Sequence, residues 1–286
     1  MTVDYSIWSF AYTHSALPHD FFGGTIQHSN QGIAQVPMVY SALLGGPTGE
    51  PPRPIVIDTG MTGEWSSAGV QYRNVETPAQ VLAKVGLAPE AVETVILTHL
   101  HFDHAGNMRA FPNARFYLQR LEYEGWREQL RINLEHAGFD AGWRLGSLRP
   151  DDIGVLEGLI AEGRVEILDG DREIAPGVTC RLAARTHTFG SQWVEVHTQA
   201  GPYVIAGDCV YWYCNVEDMW PPGFVQGDSW KVLDCYRAIL DVVGGEVDRI
   251  VPGHDPELFT RHPSWVAGLN EMAEINVAAA IGSKRP

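Results

Sequence analysis

Between Thr98 and Asn107 the chain reads THLHFDHAGN, which places three histidines and one aspartate (His99, His101, Asp103 and His104) within six consecutive positions. In an extended segment, residues two apart point the same way, so His99 and His101 present their rings on one side as a pincer. Asp103 and His104 follow where the chain turns toward a helix, and aim at a second nearby point. Imidazole nitrogen and carboxylate oxygen are ligand atoms for divalent cations. Burying four such groups with no cation among them would cost several kcal/mol each in unpaired polar atoms. The spacing points to metal binding, and to what a bound cation does best, acidifying a water and polarising a carbonyl.

The segment before the cluster, VETVILTH, is an almost continuous apolar run and reads as a strand covered on both faces. The cluster sits at its C-terminal end, where open α/β sheets place their chemistry. Upstream, VPMVYSALLGG and PIVIDTG are β-rich runs joined by the loop GGPTGEPPRP, and TPAQVLAKVGL has Thr77 as a helix N-cap, Pro78 at the first helical position and Gly86 as a stop. From Leu118 to about Gly163 the pattern is helical, interrupted near AGFDAGWRLGSLRPDD, and carries Trp126 and Trp143. This stretch reads either as a lid over a pocket or as an ordinary helical layer with core tryptophans. RVEILDGD, GVTCRLAAR, WVEVHTQ and GPYVIAGD read as short strands. SWKVLDCYRAILDVVGG is a helix with Val232, Leu233, Tyr236, Ile239, Leu240 and Val243 along one face, and DRIVPGHD reads as the last strand. No internal repeat or low-complexity segment appears. The expectation is one α/β domain over residues 1–286, with the helical insertion at about 118–163.

A chain of 286 residues can bury about three quarters of its unfolded surface in a single large core. Its 20 Lys and Arg against 35 Asp and Glu leave a formal charge of −15, which repels phosphate backbones and argues against nucleic acid as a partner. Four cysteines (Cys180, Cys209, Cys214, Cys235) form no CxxC pair and read as small buried hydrophobes in a reducing compartment. No targeting segment and no membrane-length apolar run is present, so the expected location is the cytoplasm, with no membrane partner. Nothing in the sequence indicates an oligomeric state.

The HxHxDH pattern at a strand end resembles the signature of the metallo-β-lactamase superfamily, whose fold is a four-layer αββα sandwich with its metals at the sheet edges. Other segments resemble that family's motifs in order: Asp58 in VIDTG, His187 in THTFGS, Asp208 in AGDCVY and His254 in VPGHDPE. The likeness runs from about Val36 to His262. It implies two divalent metal ions, zinc by expectation. His99, His101 and His187 would hold one, Asp103, His104 and His254 the other, and Asp208 would bridge both. Asp58 would either orient a ligand or cap the turn before Thr59 and Gly60. One departure stands out: the family usually has Pro-Gly before the third-motif histidine, and this chain has Ala184, Arg185 and Thr186. That leaves His197 as a competitor, although the position of His187 between CRLAA and WVEVH favours it. Cys209 should point away from Asp208 in an extended segment and is not expected to bind metal.

With Asp208 and His104 among its ligands, the site resembles the hydroxyacylglutathione-hydrolase and lactonase branches more than the zinc β-lactamases, which usually include a cysteine. HLHFDHAGN with FPNARFYLQRLEYEGW, and VPMVYSALL with PIVIDTGM, resemble the N-acyl homoserine lactonases and related small-lactone hydrolases such as pyridoxolactonase. The likeness implies a hydrolase that opens a small-molecule lactone by attack of a metal-bridging hydroxide, and quorum quenching if the lactone is an acyl homoserine. In that chemistry Asp103 would also carry a proton to the leaving oxygen. Tyr211, three residues beyond Asp208, would donate a hydrogen bond to the carbonyl, or else simply pack. A cyclic amide or thioester hydrolase would use the same metals, and a non-catalytic module could retain the fold. A nuclease would want a basic groove and a flavin-linked di-iron reductase an added flavin domain. Aromatics crowd residues 5–22 and 211–224, as pocket wall or as core.

Overall fold

The structure, a computed structural model, describes residues 3–24, 31–67, 70–135 and 144–276. β1 (Val3–Pro18) and β2 (Ile33–Pro47) pair antiparallel along most of their length, and β3 (Ile55–Ile57) continues antiparallel to β2. β4 (Glu64–Ser67) and β5 (Val70–Arg73) make a small separate ribbon. β6 (Thr94–Ile96), β7 (Arg115–Gln119) and β8 (Val165–Leu168) then run parallel outward from β3. β9 (Arg172–Ala175), β10 (Val178–Ala184), β11 (Gly190–Thr198) and β12 (Gly201–Gly207) form an antiparallel second sheet, which β13 (Ile250–Pro252) extends in parallel. β14 (Ser264–Ala267) and β15 (Asn270–Glu274) return to the first sheet, whose order is β14-β15-β1-β2-β3-β6-β7-β8.

Side-chain alternation stacks these sheets into four layers. Ile7, Leu43, Ile57 and Ile96 from the large sheet meet Val178, Val194, Val196 and Ile205 from the small one in a buried core between them. On the outer side of the large sheet, Val56, Val95 and Phe116 pack with Val81, Leu82, Trp126 and Leu156 of the helical layer. On the outer side of the small sheet, Val204, Ala206 and Ile250 pack against the helix Ser229–Val242 through Val232, Cys235, Tyr236 and Ile239. β6 thus sends Val95 to one core and Ile96 to the other, which is why its sequence is apolar throughout. The architecture is the expected α/β four-layer αββα sandwich. Thr77 caps the helix Pro78–Ala83 through a capping box with Gln80.

Several elements differ from the sequence reading. DRIVPGHD is not the last strand, because β14 and β15 follow it; as a sheet-edge hairpin they expose Val266 and Leu269, so their apolar alternation is weak. The stretch from Leu118 is not helical from its start. β7 reaches Gln119, and the helices are Arg120–Glu135 and Pro150–Ala161. Trp143 and its neighbours 136–143 lie outside the described residues. The segment YSIWSFAYTHSALP, read from sequence only as aromatic-rich, is the long strand β1.

Candidate metal centre

β6 delivers the histidine cluster to the junction of the two sheets. Gln192 of β11 donates through its backbone N to Thr98 O (2.8 Å) and through Nε2 to Leu97 O (2.8 Å), which pins the end of β6 to the opposite sheet. Past that point His101 has extended backbone, and Phe102–Ala105 forms a helical turn carrying Asp103 and His104. The small sheet supplies the rest from strand ends: His187 between β10 and β11, Asp208 after β12, and His254 after β13.

The ligand atoms of His99, His101, His187 and Asp208 all lie within 4.8 Å of one another, as do those of Asp103, His104 and His254. Asp208 faces both groups. Its Oδ2 is 3.6 Å from His99 Nε2 and 3.3 Å from His187 Nε2, while its Oδ1 is 3.1 Å from both His104 Nε2 and His254 Nε2. Asp103 Oδ2 stands 3.5 Å from the same two nitrogens. None of the seven residues is more than 7% exposed.

Each ring uses its outward nitrogen for a protein contact. His101 Nε2 meets Gln226 Oε1 at 3.0 Å, His104 Nδ1 meets Asp58 Oδ2 at 2.7 Å, and His254 Nδ1 meets Pro37 O at 3.0 Å. These oxygens only accept, so the proton sits on the outward nitrogen and the lone pair faces inward. His99 Nδ1 lies 3.0 Å from the Thr98 hydroxyl, and His187 Nδ1 lies 3.3 Å from the Tyr211 hydroxyl. The inward atoms His99 Nε2, His104 Nε2 and Asp208 Oδ1 are buried with no hydrogen-bond partner, the 3.1 Å approach of the last two notwithstanding. Such orphans cost about 1–3 kcal/mol each, and a cation at each group would satisfy them all. The donor set therefore fits two divalent ions with nitrogen and oxygen ligands.

Electrostatics agrees with that fit. Burial, reinforced by neighbouring rings, holds His99 and His187 well below the usual histidine range, and burial takes His101 down to about 3, so these three are neutral and ready to ligate. His104 is opposed by burial yet pulled up by the carboxylates of Asp208, Asp103 and Asp58. The second group is thus the one where negative charge outweighs desolvation.

His197 stays out of the centre: its side chain is 53% exposed and pairs with Glu195 at 2.7 Å. Cys209 points into the outer core beneath the helix Ser229–Val242, away from the metal groups. Asp58 accepts from Thr98 N (2.7 Å), from the Thr98 hydroxyl (2.8 Å) and from His104 Nδ1, so it orients a ligand; Thr59 N of the following turn donates instead to His104 O (2.7 Å). Ahead of His187, where the family usually has Pro-Gly, Arg185 adopts φ +57 and the Thr186 hydroxyl donates to Ala183 O (2.8 Å). Gln226, Thr98, Pro37 and Glu122 support the site and were not foreseen. Gln226 sits 125 positions from the ring it contacts, and no local pattern marks it. Both aromatic segments divide. Tyr5, Phe10 and Tyr12 are core, whereas Leu17, Phe21, Phe22, Tyr211 and Phe224 line a pocket whose floor is His101, Asp103, Asp208 and His254. Phe21 and Phe224 stack at 4.8 Å on its wall.

Two sheets packed face to face, with paired His/Asp groups at their strand ends, define a known class. Residues 51–254 match the family model of the metallo-beta-lactamase superfamily, and the chain belongs to that family. Within it, the chain is 29% identical over 218 residues to the N-acyl homoserine lactonase of a Bacillus species, a match spanning 71% of this chain and 77% of that one. It is 28% identical over 192 residues to the N-acyl homoserine lactonase AttM of Azorhizobium caulinodans, spanning 63% and 64%. A solved N-acyl homoserine lactone hydrolase with N-hexanoyl-L-homoserine bound at its catalytic metal center has a TM-score of 0.62 and 25% identity, over 90% of this chain and 96% of that one.

Proposed function

We propose that the protein is a dinuclear zinc hydrolase that opens N-acyl homoserine lactones or closely related small lactones. The observation that carries this reading is Asp208, whose two oxygens each face one of the two ligand groups at the floor of an aromatic pocket. His99, His101 and His187 would hold one ion, Asp103, His104 and His254 the other, and Asp208 both. Zinc is favoured by a set of imidazole and carboxylate donors. When bound, such a pair supplies an acidified water and a Lewis acid for a carbonyl oxygen.

The chain's own groups do the rest. Phe21, Phe22 and Phe224 offer an apolar wall that takes the acyl substituent and keeps bulk water from the ring. The Tyr211 hydroxyl, beside His187, donates to the carbonyl oxygen as charge develops on it. Asp103, at the pocket floor, carries a proton to the departing ring oxygen. Tyr12 donates to Asp103 O at 2.7 Å and fixes the turn from which that carboxylate projects. The whole chain acts as one domain. In the described parts of the helical stretch after Gln119, Trp126 is fully buried against His101 and Ser147 lines the pocket, which supports a wall rather than a lid. The charge of −15 disfavours nucleic acid, and no described helix is long and apolar enough to cross a membrane. Four free cysteines suit a reducing cytoplasm.

The test is acid release from a panel of N-acyl homoserine lactones of graded acyl length, simple γ- and δ-lactones, an aromatic lactone, and a matched lactam and thioester. The expected result is fastest opening of an acyl homoserine lactone. A lactam or thioester turned over faster than every lactone would overturn the assignment.

A further inference from the structure

A buried carboxylate outside both ligand groups connects the two loops that carry the first. Glu122 lies in the first turn of the helix Arg120–Glu135 and is 0% exposed. Its Oε1 accepts from Leu100 N (2.9 Å) and Trp126 Nε1 (2.8 Å). Its Oε2 accepts from the Thr188 hydroxyl (2.6 Å) and Gly190 N (2.9 Å). Leu100 stands between His99 and His101, and Thr188 directly follows His187. Three of the four donors, two backbone N–H groups and an indole, cannot reverse to accept, so both sides need an acceptor oxygen and an amide cannot serve both; burial pushes the carboxyl upward, and these four contacts oppose that push.

The close approach that permits these bonds is built from glycine on both sides. A Cβ on Gly190 would stand 2.4 Å from Glu122 N, and one on Gly125 of the same helix 2.3 Å from Phe189 Cγ. Any larger residue would push the helix off the His187 loop. Trp126 sits in the same seam, its ring 5.6 Å from His101 and 5.3 Å from Phe189.

We propose that Glu122 is a positioning residue: its carboxylate holds the His99–His101 loop against the His187 loop and thereby sets the metal affinity of that group. This rests on the two-metal reading above. A carboxylate serving overall stability alone would lower the unfolding temperature and leave ion affinities in the folded protein unchanged. A positioning carboxylate alters one ion's affinity and spares the other.

The experiment is zinc competition against a chromophoric chelator, on folded protein well below its unfolding transition. In Glu122→Gln the amide oxygen can serve Leu100 and Trp126, which turns the NH2 toward Gly190 N–H and frees the His187 loop. One of the two ions should then be held about tenfold to a hundredfold more weakly, with the other unchanged. Thr188 supplies a second pair should that variant fail to fold. Thr188→Ser keeps the hydroxyl and loses a methyl, and should hold both ions like the wild type. Thr188→Val keeps the volume and loses the hydroxyl, and should weaken one ion. Val binding normally while Ser weakens would show packing, and would overturn the proposal. So would unchanged affinities in Glu122→Gln and Thr188→Val alongside a wild type that holds two ions. A wild type that binds no zinc would instead overturn the two-metal reading, and this proposal with it.

Discussion

Replacing Asp58 with asparagine removes one acceptor from beneath His104 at almost constant size. The carboxylate accepts from Thr98 N at 2.7 Å on Oδ1, and from the Thr98 hydroxyl at 2.8 Å and His104 Nδ1 at 2.7 Å on Oδ2. An amide has one oxygen for these three donors. That oxygen stays with Thr98 N, because a backbone N–H cannot reverse, and the NH2 then faces the hydroxyl and the imidazole. The hydroxyl can turn to accept. His104 can accept only by moving its proton to Nε2, the nitrogen that lies 3.1 Å from Asp208 Oδ1 and would otherwise offer its lone pair to a metal. Binding must then expel that proton. Loss of such an outer partner weakens a metal by about 10- to 100-fold, or about 1.4–2.7 kcal/mol. Chelator competition on Asp58→Asn should show that loss for one ion and not for the other, with ring-opening restored as free zinc is raised. Two ions held with wild-type affinity would refute the orienting role of Asp58.

His187→Ala should lose one ion, by more than the roughly 100-fold upper end seen for outer partners, and ring-opening with it, while His197→Ala keeps both ions in metal analysis; the reverse ranking would mean the third ligand is misplaced. Tyr211→Phe should keep two ions and lower kcat by about tenfold to a hundredfold, less than the 3 to 4 kcal/mol an unaided oxyanion donor supplies, because a cation shares the oxygen; a wild-type rate would reduce Tyr211 to packing. Asp152 is 5% exposed with Oδ2 unpartnered, and burial lifts it to about 7. Its folded value lies above its unfolded one, so its favourable contribution is complete below about pH 4 and is lost as pH rises through about 7. Asp152→Asn should therefore stabilise against urea by about 1–2 kcal/mol at about pH 8, once the positive helix N-terminus beside it is allowed for, with the gain vanishing toward about pH 4. An equal gain at both pH values would show that the carboxylate is ionised throughout.

Much of the site was legible because each candidate ligand lies in a short pattern at a strand end, where type and spacing carry the information. Of the support, Asp58 was indicated by the family resemblance; the rest was not legible, because it is long-range: Gln226 meets His101 across 125 positions and Pro37 meets His254 across 217. Glu122 sat in a stretch whose likeness to lactonases was plain, yet its partners Leu100, Thr188 and Gly190 become neighbours only when the sheets close. The strands followed the same rule. β6 could be read because both its faces are covered, whereas β15 buries Met272 and Ala273 behind an exposed partner hairpin strand and left too little contrast.

Lactone opening by this chain should require both metal groups to be filled. The most direct test strips the protein with chelator, returns zinc in measured equivalents, and follows acid release from an N-acyl homoserine lactone. Turnover should be negligible in the stripped protein, and the rate should climb to a plateau at about two ions per chain. Full turnover after stripping, or a rate indifferent to added metal, would contradict that requirement.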